Sequence, residues 1–117
     1  MKKLLTLLVL LTASYVTKAS NGDQPKLVTR ATLLTQQMAK KIPINEGQYI
    51  KVRQLNLRLL SEKQAIQAQY AEDPATLDQQ LAEAQNRYEW DLASILWPRQ
   101  MASYEQAKTD LTAFNEQ

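Results

Sequence analysis

The sequence predicts an all-α protein built from four helices, and three observations support this prediction. No segment of the chain alternates apolar and polar residues as a half-buried strand would. The chain holds only two glycines. Its apolar residues recur three and four positions apart, which keeps them on one face of a helix. Prolines at positions 43, 74 and 98 divide the pattern into four segments.

The first nineteen residues have the layout of a secretory signal peptide. Lys2 and Lys3 precede an apolar run over residues 4 to 11, and Thr17 and Ala19 supply the small residues that a cleavage site needs. Cleavage after Ala19 would leave 117 − 19 = 98 residues. The alternative is a retained membrane anchor, but the run is far shorter than the roughly 20 residues that span a bilayer. We therefore expect export, with a periplasmic location.

Removal of the signal peptide changes the charge balance. Three lysines leave with it, so 14 − 3 = 11 basic residues face 12 acidic ones, and the net charge becomes about −1. Residues 20 to 63 hold 8 basic and 3 acidic side chains, whereas residues 64 to 117 hold 3 basic and 9 acidic. This asymmetry is either incidental to solvated helix faces or a sign that the two halves pair, within one chain or between chains.

The apolar stripes place the helices along the chain. The first stripe begins at Leu27 and ends before Pro43, and the second follows Asn45 and is expected to run to Asp73. We expect residues 20 to 26 and the last few positions to be frayed, so that the helical domain covers residues 27 to 117. The four stripes comprise Leu27, Ala31, Leu34, Met38 and Ile42; Val52, Leu55, Leu59, Ile66 and Tyr70; Leu77, Leu81, Ala84, Tyr88, Leu92 and Ile95; and Met101, Tyr104, Leu111 and Phe114.

Helix starts are marked by capping residues. In "INEGQ", Asn45 can accept a hydrogen bond from a free amide of the first turn, and Gln48 at the third helical position can bond back to the cap. In "AEDPATL", Asp73 is the cap and Pro74 takes the first helical position. Both starts are therefore well determined by local sequence.

The fourth helix has a weaker start. In "LWPRQ", Pro98 and Gln100 occupy the same positions as their counterparts near Asn45, but Trp97 has no side-chain oxygen that could accept the capping bond. We therefore expect this helix start to be weaker than the other two.

The two segments "INEGQ" and "LWPRQ" resemble the LTxxQ motif of the Spy and CpxP family of small periplasmic helical proteins. The motif positions pair as Ile44 with Leu96, Asn45 with Trp97, and Gln48 with Gln100. A long helix, a "DPATL" turn and a second long helix separate the copies, and the resemblance covers roughly residues 27 to 112. Both copies depart from the motif, since neither has its Thr.

The resemblance implies a bent hairpin of long helices that pairs into a cradle-shaped antiparallel homodimer. It also implies a chaperone or a modulator of envelope-stress sensing that works without ATP. The partners would then be partly unfolded proteins or a sensor domain.

Three apolar residues lie away from the main stripes and form a candidate client or dimer surface. At 100° per residue, Ile50 and Leu57 fall about 140 to 160° from the stripe of the second helix, and Trp90 lies opposite the stripe of the third. Arg53 and Arg58 flank the first two of them. The alternatives are scattered surface residues of no special role, or a second apolar surface.

Enzymatic chemistry is poorly supported. The chain has no histidine and no cysteine, which removes the commonest general base, the soft metal ligands and the thiol nucleophile. No glycine-rich phosphate loop is present, and we expect no cofactor or metal. Nucleic-acid binding is disfavoured because the exported chain is near neutral and lacks a basic motif with aromatic residues.

Two functions remain open at this stage. The first is an ATP-independent periplasmic chaperone or envelope-stress accessory protein. The second is a helical adaptor, structural or regulatory, that docks one specific envelope partner such as a sensor domain.

Overall fold

The computed structural model describes residues 24 to 116, with side-chain environments through residue 112. Every regular element in this range is a helix, as predicted. The helices are α1 (Gln24–Lys41), α2 (Glu46–Gln69), α3 (Pro74–Ile95) and α4 (Pro98–Glu116). The predicted signal peptide and residues 20 to 23 lie outside the described residues.

Three helix ends differ from the prediction. Helix α1 begins at Gln24, so residues 24 to 26 are helical rather than frayed. Helix α2 ends at Gln69, four residues before Asp73, because the chain turns at residues 70 to 72. Helix α4 continues to Glu116, through positions that we expected to fray. The sequence placed the helices correctly, but their ends depend on weaker local signals.

The helices pack as a ring in the order α4, α1, α2, α3. Helix α1 packs along α2, α2 along α3, and α4 against α1, whereas α3 and α4 make the sparsest contact. The main core cluster lies inside this ring and draws on all four helices. Its buried residues are Leu34, Met38, Ile42, Val52, Leu55, Leu59, Ala84, Tyr88, Leu92, Leu96, Tyr104, Ala107 and Leu111.

A second, smaller core cluster joins the start of α1 to α2. Leu27, Ala31 and Leu60 are buried there, and Leu57 packs against them while half-buried. The prediction that Leu57 belongs to an exposed surface is therefore wrong. Helix α1 covers the side of α2 that carries Leu57, which the single-helix pattern could not reveal.

Polar side chains also bridge the helices inside the core. Asn56 of α2 is fully buried; its Nδ2 donates to Thr35 Oγ1 of α1 over 2.9 Å, and its Oδ1 accepts from the Tyr88 hydroxyl of α3 over 2.6 Å. Met38 lies beside both, with its sulfur 3.4 Å from Asn56 Nδ2. Burial raises the pKa of Tyr88 far above its ordinary value, so its hydroxyl stays protonated and remains a donor. This network ties α1, α2 and α3 at one level of the ring.

Two ion pairs within one chain join its basic half to its acidic half. Arg58 of α2 pairs with Asp91 of α3, and Lys41 of α1 pairs with Asp110 of α4 over 3.5 Å. In both pairs a residue of the basic half meets one of the acidic half. Pairing between the halves therefore occurs inside the monomer.

Candidate functional site

The start of α2 carries a complete capping box, as the sequence predicts. The Gln48 amide N–H donates to Asn45 Oδ1 over 2.8 Å, and the Asn45 amide N–H donates to Gln48 Oε1 over 3.0 Å. These bonds satisfy two backbone donors, one in the first helical turn and one at the cap itself.

The start of α4 carries the second half of such a box. The Trp97 amide N–H donates to Gln100 Oε1 over 2.8 Å, which repeats the bond between Asn45 and Gln48. No side-chain oxygen caps this helix from Trp97, because an indole has none. Its ring is 64% exposed, so it is not held in the core either.

The two glutamines meet between these helix starts. Gln48 Nε2 lies 2.7 Å from Gln100 Oε1, and Gln100 Nε2 lies 2.9 Å from Gln48 Oε1. Each amide nitrogen also donates to a carbonyl of the opposite half: Gln48 to Ile95 O over 3.1 Å, and Gln100 to Pro43 O over 2.7 Å. Both side chains are buried. We call this pair, with its two backbone carbonyls, the glutamine clasp.

The clasp has a local two-fold character. Each of its carbonyls stands five positions before the glutamine of its own half, since 48 − 43 = 5 and 100 − 95 = 5. Each glutamine therefore accepts from its own helix start and donates across to the other half. Ile44 and Leu96, the first residues of the two motif copies, are half-buried and buried beside it.

The same spacing continues along the two helices. Gln48 and Gln100 are 100 − 48 = 52 positions apart, and three of the buried residues that follow Gln48 in α2 have a buried counterpart 52 positions later in α4. Counted from the clasp, α2 and α4 therefore bury side chains at the same three positions along the helix. The matching buried pairs are Val52 with Tyr104, Leu55 with Ala107, and Leu59 with Leu111.

The candidate surface residues are not equivalent in the structure. Ile50 is 49% exposed and Trp90 is 80% exposed, as the sequence predicts for both. Arg53 is exposed. Arg58 is exposed too, but its guanidinium pairs with Asp91 and Glu62, so it is not an unpaired charge beside an apolar patch.

Sequence reasoning missed three other exposed apolar side chains. Trp97 lies just past the end of α3, where the apolar stripe of that helix no longer assigns a residue to the core. Leu33 of α1 lies far from its stripe by the same angular test that selected Ile50, whereas Val28 lies at the edge of the stripe, about 100° from Leu27. The large apolar residues that are exposed between residues 24 and 112, called the exposed apolar residues below, are Val28, Leu33, Ile50, Trp90 and Trp97.

Unpaired basic side chains accompany this set on α1 and α2. Lys40, Lys51 and Arg53 are exposed and form no ion pair within residues 24 to 116. The outer side of these two helices therefore offers both apolar and positive groups.

A third polar cluster links α3 to α4. Glu89 Oε2 accepts from Lys108 Nζ over 2.7 Å, from the Tyr104 hydroxyl over 2.9 Å and from Gln85 Nε2 over 3.3 Å. Burial raises the pKa of Glu89, but these hydrogen bonds together outweigh burial and hold that pKa below its ordinary value. Burial raises the pKa of Tyr104 strongly, and the hydrogen bond to Glu89 raises the pKa of Lys108. No pattern along a single helix predicts this cluster, because its members belong to two helices.

Neither a metal centre nor a membrane span emerges from the part of the chain that the structure describes. No group of three or more His, Cys, Asp or Glu side chains in residues 24 to 116 could hold a metal ion. None of the four helices is long and apolar enough to cross a bilayer. No family model, curated protein or solved structure matches this chain.

Proposed function

We propose that this protein is an exported, ATP-independent chaperone or envelope-stress accessory protein of the Spy and CpxP type, which holds partly unfolded clients on its outer surface. The observation that carries the proposal is the exposure of both tryptophans, 80% for Trp90 and 64% for Trp97. A tryptophan ring is a large apolar group that folding normally removes from water. Two such rings left in water, one on α3 and one between α3 and α4, favour a binding role for the outside of this part of the molecule.

Charge supports the same proposal. Lys40, Lys51 and Arg53 add positive groups to helices that also carry Leu33 and Ile50. Charge speeds the encounter with an unfolded chain and apolar contact retains it, while neither demands a defined sequence in the client. Such a surface suits many clients with modest affinity.

The glutamine clasp supports the resemblance to the family rather than the binding role. It gives both motif glutamines one structural task, which is to hold two helix starts and two chain breaks together. The side chains that could bind clients are therefore different ones, on the outer faces of the helices.

A homodimer is part of the proposal. In a pair of chains, the exposed Lys40, Lys51 and Arg53 of one copy could face Glu72 and Asp78 of the other; none of these five side chains forms an ion pair within residues 24 to 116. Sedimentation at micromolar concentration should give a dimer that weakens as ionic strength rises. Sedimentation of a monomer at low salt would contradict the proposed homodimer.

The test of function replaces exposed apolar residues without touching the core. In an aggregation assay with two unrelated denatured clients and no nucleotide, the wild-type protein should suppress aggregation of both. The triple variant Ile50→Ser, Trp90→Ser and Trp97→Ser should lose that suppression. A matched control, Gln36→Ser, Gln54→Ser and Gln79→Ser, changes three exposed polar residues and should keep it.

Circular dichroism and melting curves must accompany the assay, so that loss of protection is not confused with loss of fold. A wild-type protein that protects neither client would contradict the chaperone proposal. The remaining candidate would then be the adaptor that docks a single envelope partner. A folded triple variant that protects as well as the wild type would place client binding elsewhere on the molecule.

A further inference from the structure

The four contacts between neighbouring helices of the ring differ in how closely the helices pack. Three neighbouring pairs pack along apolar stripes, but α3 and α4 make the sparsest contact of the four. We call this contact the α3–α4 seam. A cleft opens between the helices here, with Leu34, Met38, Leu59 and Leu111 among its lining residues. Apolar core side chains therefore lie just behind the seam.

Hydrogen bonds to one carboxylate oxygen join the two sides of the seam. Glu89 Oε2 of α3 accepts from Lys108 Nζ and the Tyr104 hydroxyl of α4 over 2.7 and 2.9 Å. Gln85 of α3 completes the cluster, since its Nε2 lies 3.3 Å from both Glu89 Oε2 and the Tyr104 hydroxyl. All four side chains are only half-buried or buried at the edge of the core.

Such a bridge is easier to break than the packing elsewhere in the ring. Water can replace each of its hydrogen bonds, so the net stabilisation from each is small. Separating two apolar stripes instead exposes their whole contact area to water. The other end of α4 is held by the glutamine clasp, where Gln100 is buried and hydrogen-bonded on both sides.

We propose that Glu89 is a latch, whose release lets α4 swing away from α3 about the glutamine clasp and uncovers the apolar lining of the cleft. Helix α4 is then the moving part of the fold and also leaves its contact with α1, while α1, α2 and α3 stay packed on one another. If the proposed chaperone function is correct, the uncovered lining is a second client-binding surface, so that part of the inference rests on the proposed function. The opening itself does not.

Amide hydrogen exchange tests the latch without any client. In the double variant Glu89→Gln and Tyr104→Phe, ring and side-chain volume are retained while the charged acceptor and the hydroxyl donor are lost. We expect amides of residues 104 to 112 to exchange about tenfold faster or more, with the exchange of α1, α2 and α3 unchanged. A helix that leaves its packing is only marginally stable in water, so its backbone hydrogen bonds then open, whereas those of the packed helices do not.

The matched control is Asp110→Asn, which removes the exposed 3.5 Å pair between α4 and Lys41 of α1. This substitution also removes a contact of α4, but on the side away from the seam. It should leave the amide exchange of α4 unchanged, because an exposed ion pair contributes little to stability. Equal acceleration in control and double variant would overturn the latch, and so would uniform acceleration in all four helices.

A second measurement uses the unaltered protein, in case the double variant does not fold. Native-state exchange at low urea should reveal an opening of α4 that has a smaller urea dependence than global unfolding. If α4 opens only together with the other three helices, the latch is wrong. An opening of α4 in a protein that suppresses no aggregation would instead support the latch and contradict the chaperone function.

Discussion

The side chains of Gln48 and Gln100, which are 52 positions apart in the chain, each donate a hydrogen bond to the other over 2.7 and 2.9 Å. Each is the third residue of a helix and accepts from the backbone N–H at the start of that helix. One pair of amides thus fixes where α2 and α4 begin and how the two halves of the chain meet.

Loss of one member of the clasp should be costly. Replacing Gln100 with Ala removes the acceptor for Trp97 N–H, the donor to Pro43 O and both bonds to Gln48. Buried polar groups left without partners cost about 1 to 3 kcal/mol each, and water can reach some of these, so we expect a loss of about 3 kcal/mol. Urea denaturation measures it.

The control for the clasp is Gln36→Ala, which changes an exposed glutamine inside α1 and should alter stability by no more than about 0.5 kcal/mol. A double-mutant cycle with Gln48→Ala should give a coupling of at least about 1 kcal/mol. Additive effects would mean that the two glutamines act independently.

The caps at the two helix starts should respond in opposite directions. Asn45→Ala removes the side-chain oxygen that accepts from the backbone N–H of Gln48, and it should lower the free energy of unfolding by about 1 kcal/mol. Trp97→Thr supplies the oxygen that α4 lacks and loses little packing, since the ring is exposed; it should stabilise by about 0.5 to 1 kcal/mol. Thermal melts compare the two variants, and an unaffected Asn45→Ala protein would rule out the capping account.

Leu57 and Ile50 should differ although both lie off the main stripe of α2. Leu57 packs against Leu27, Ala31 and Leu60, whereas Ile50 is 49% exposed. Leu57→Ala should therefore cost about 1 to 2 kcal/mol, below the range for fully buried leucines. Ile50→Ala should stay within about 0.5 kcal/mol. Equal losses in urea titrations would contradict the assignment of Leu57 to the second core cluster.

Acid should weaken the protein partly through Glu89. Its pKa in the folded state lies below the ordinary value of 4.5, because the bonds from Lys108, Tyr104 and Gln85 outweigh burial. The folded state then binds the proton less tightly than the unfolded state. The stabilisation that the charged Glu89 contributes is complete above about pH 4.5, and it is lost as the pH falls through the pKa of Glu89 in the folded state.

Glu89→Gln should be less stable than the wild type at neutral pH by about 1 to 3 kcal/mol, since it loses a charged acceptor. The gap between the two proteins should narrow below about pH 4.5, because the unfolded wild-type chain binds a proton at Glu89 there, and the folded carboxylate does so only at lower pH. Asp73, whose pKa the Thr76 hydroxyl and amide lower, is common to both proteins and cancels in the comparison. A gap that stays constant as pH falls would contradict the role of the Glu89 charge.

The buried network around Asn56 should depend on the Tyr88 hydroxyl. Tyr88→Phe keeps the ring but leaves Asn56 Oδ1 without its 2.6 Å donor, which should cost about 1 to 2 kcal/mol. Tyr49→Phe is the control, because the hydroxyl of Tyr49 makes no hydrogen bond within residues 24 to 116. This substitution should have little effect. Similar urea midpoints for both variants would mean that the network adds nothing to stability.

The sequence alone determined the fold class, the order of the helices and the capping residues. The 3-4 spacing of apolar residues, the prolines and the caps at Asn45 and Asp73 all act within a few residues of one another. Interactions of this range can be read along a single helix. For the same reason Ile50 and Trp90 were correctly assigned to the outside, since each lies opposite its own stripe.

Only the tertiary structure decided which side chains meet. Burial of Leu57 depends on where α1 crosses α2, and pairing of Arg58 with Asp91 depends on the register of α2 against α3. The clasp needs two glutamines 52 positions apart to arrive at one point. The period of one helix gives the direction of each side chain from its own axis but not the position of a second helix, and burial and charge pairing depend on that second helix.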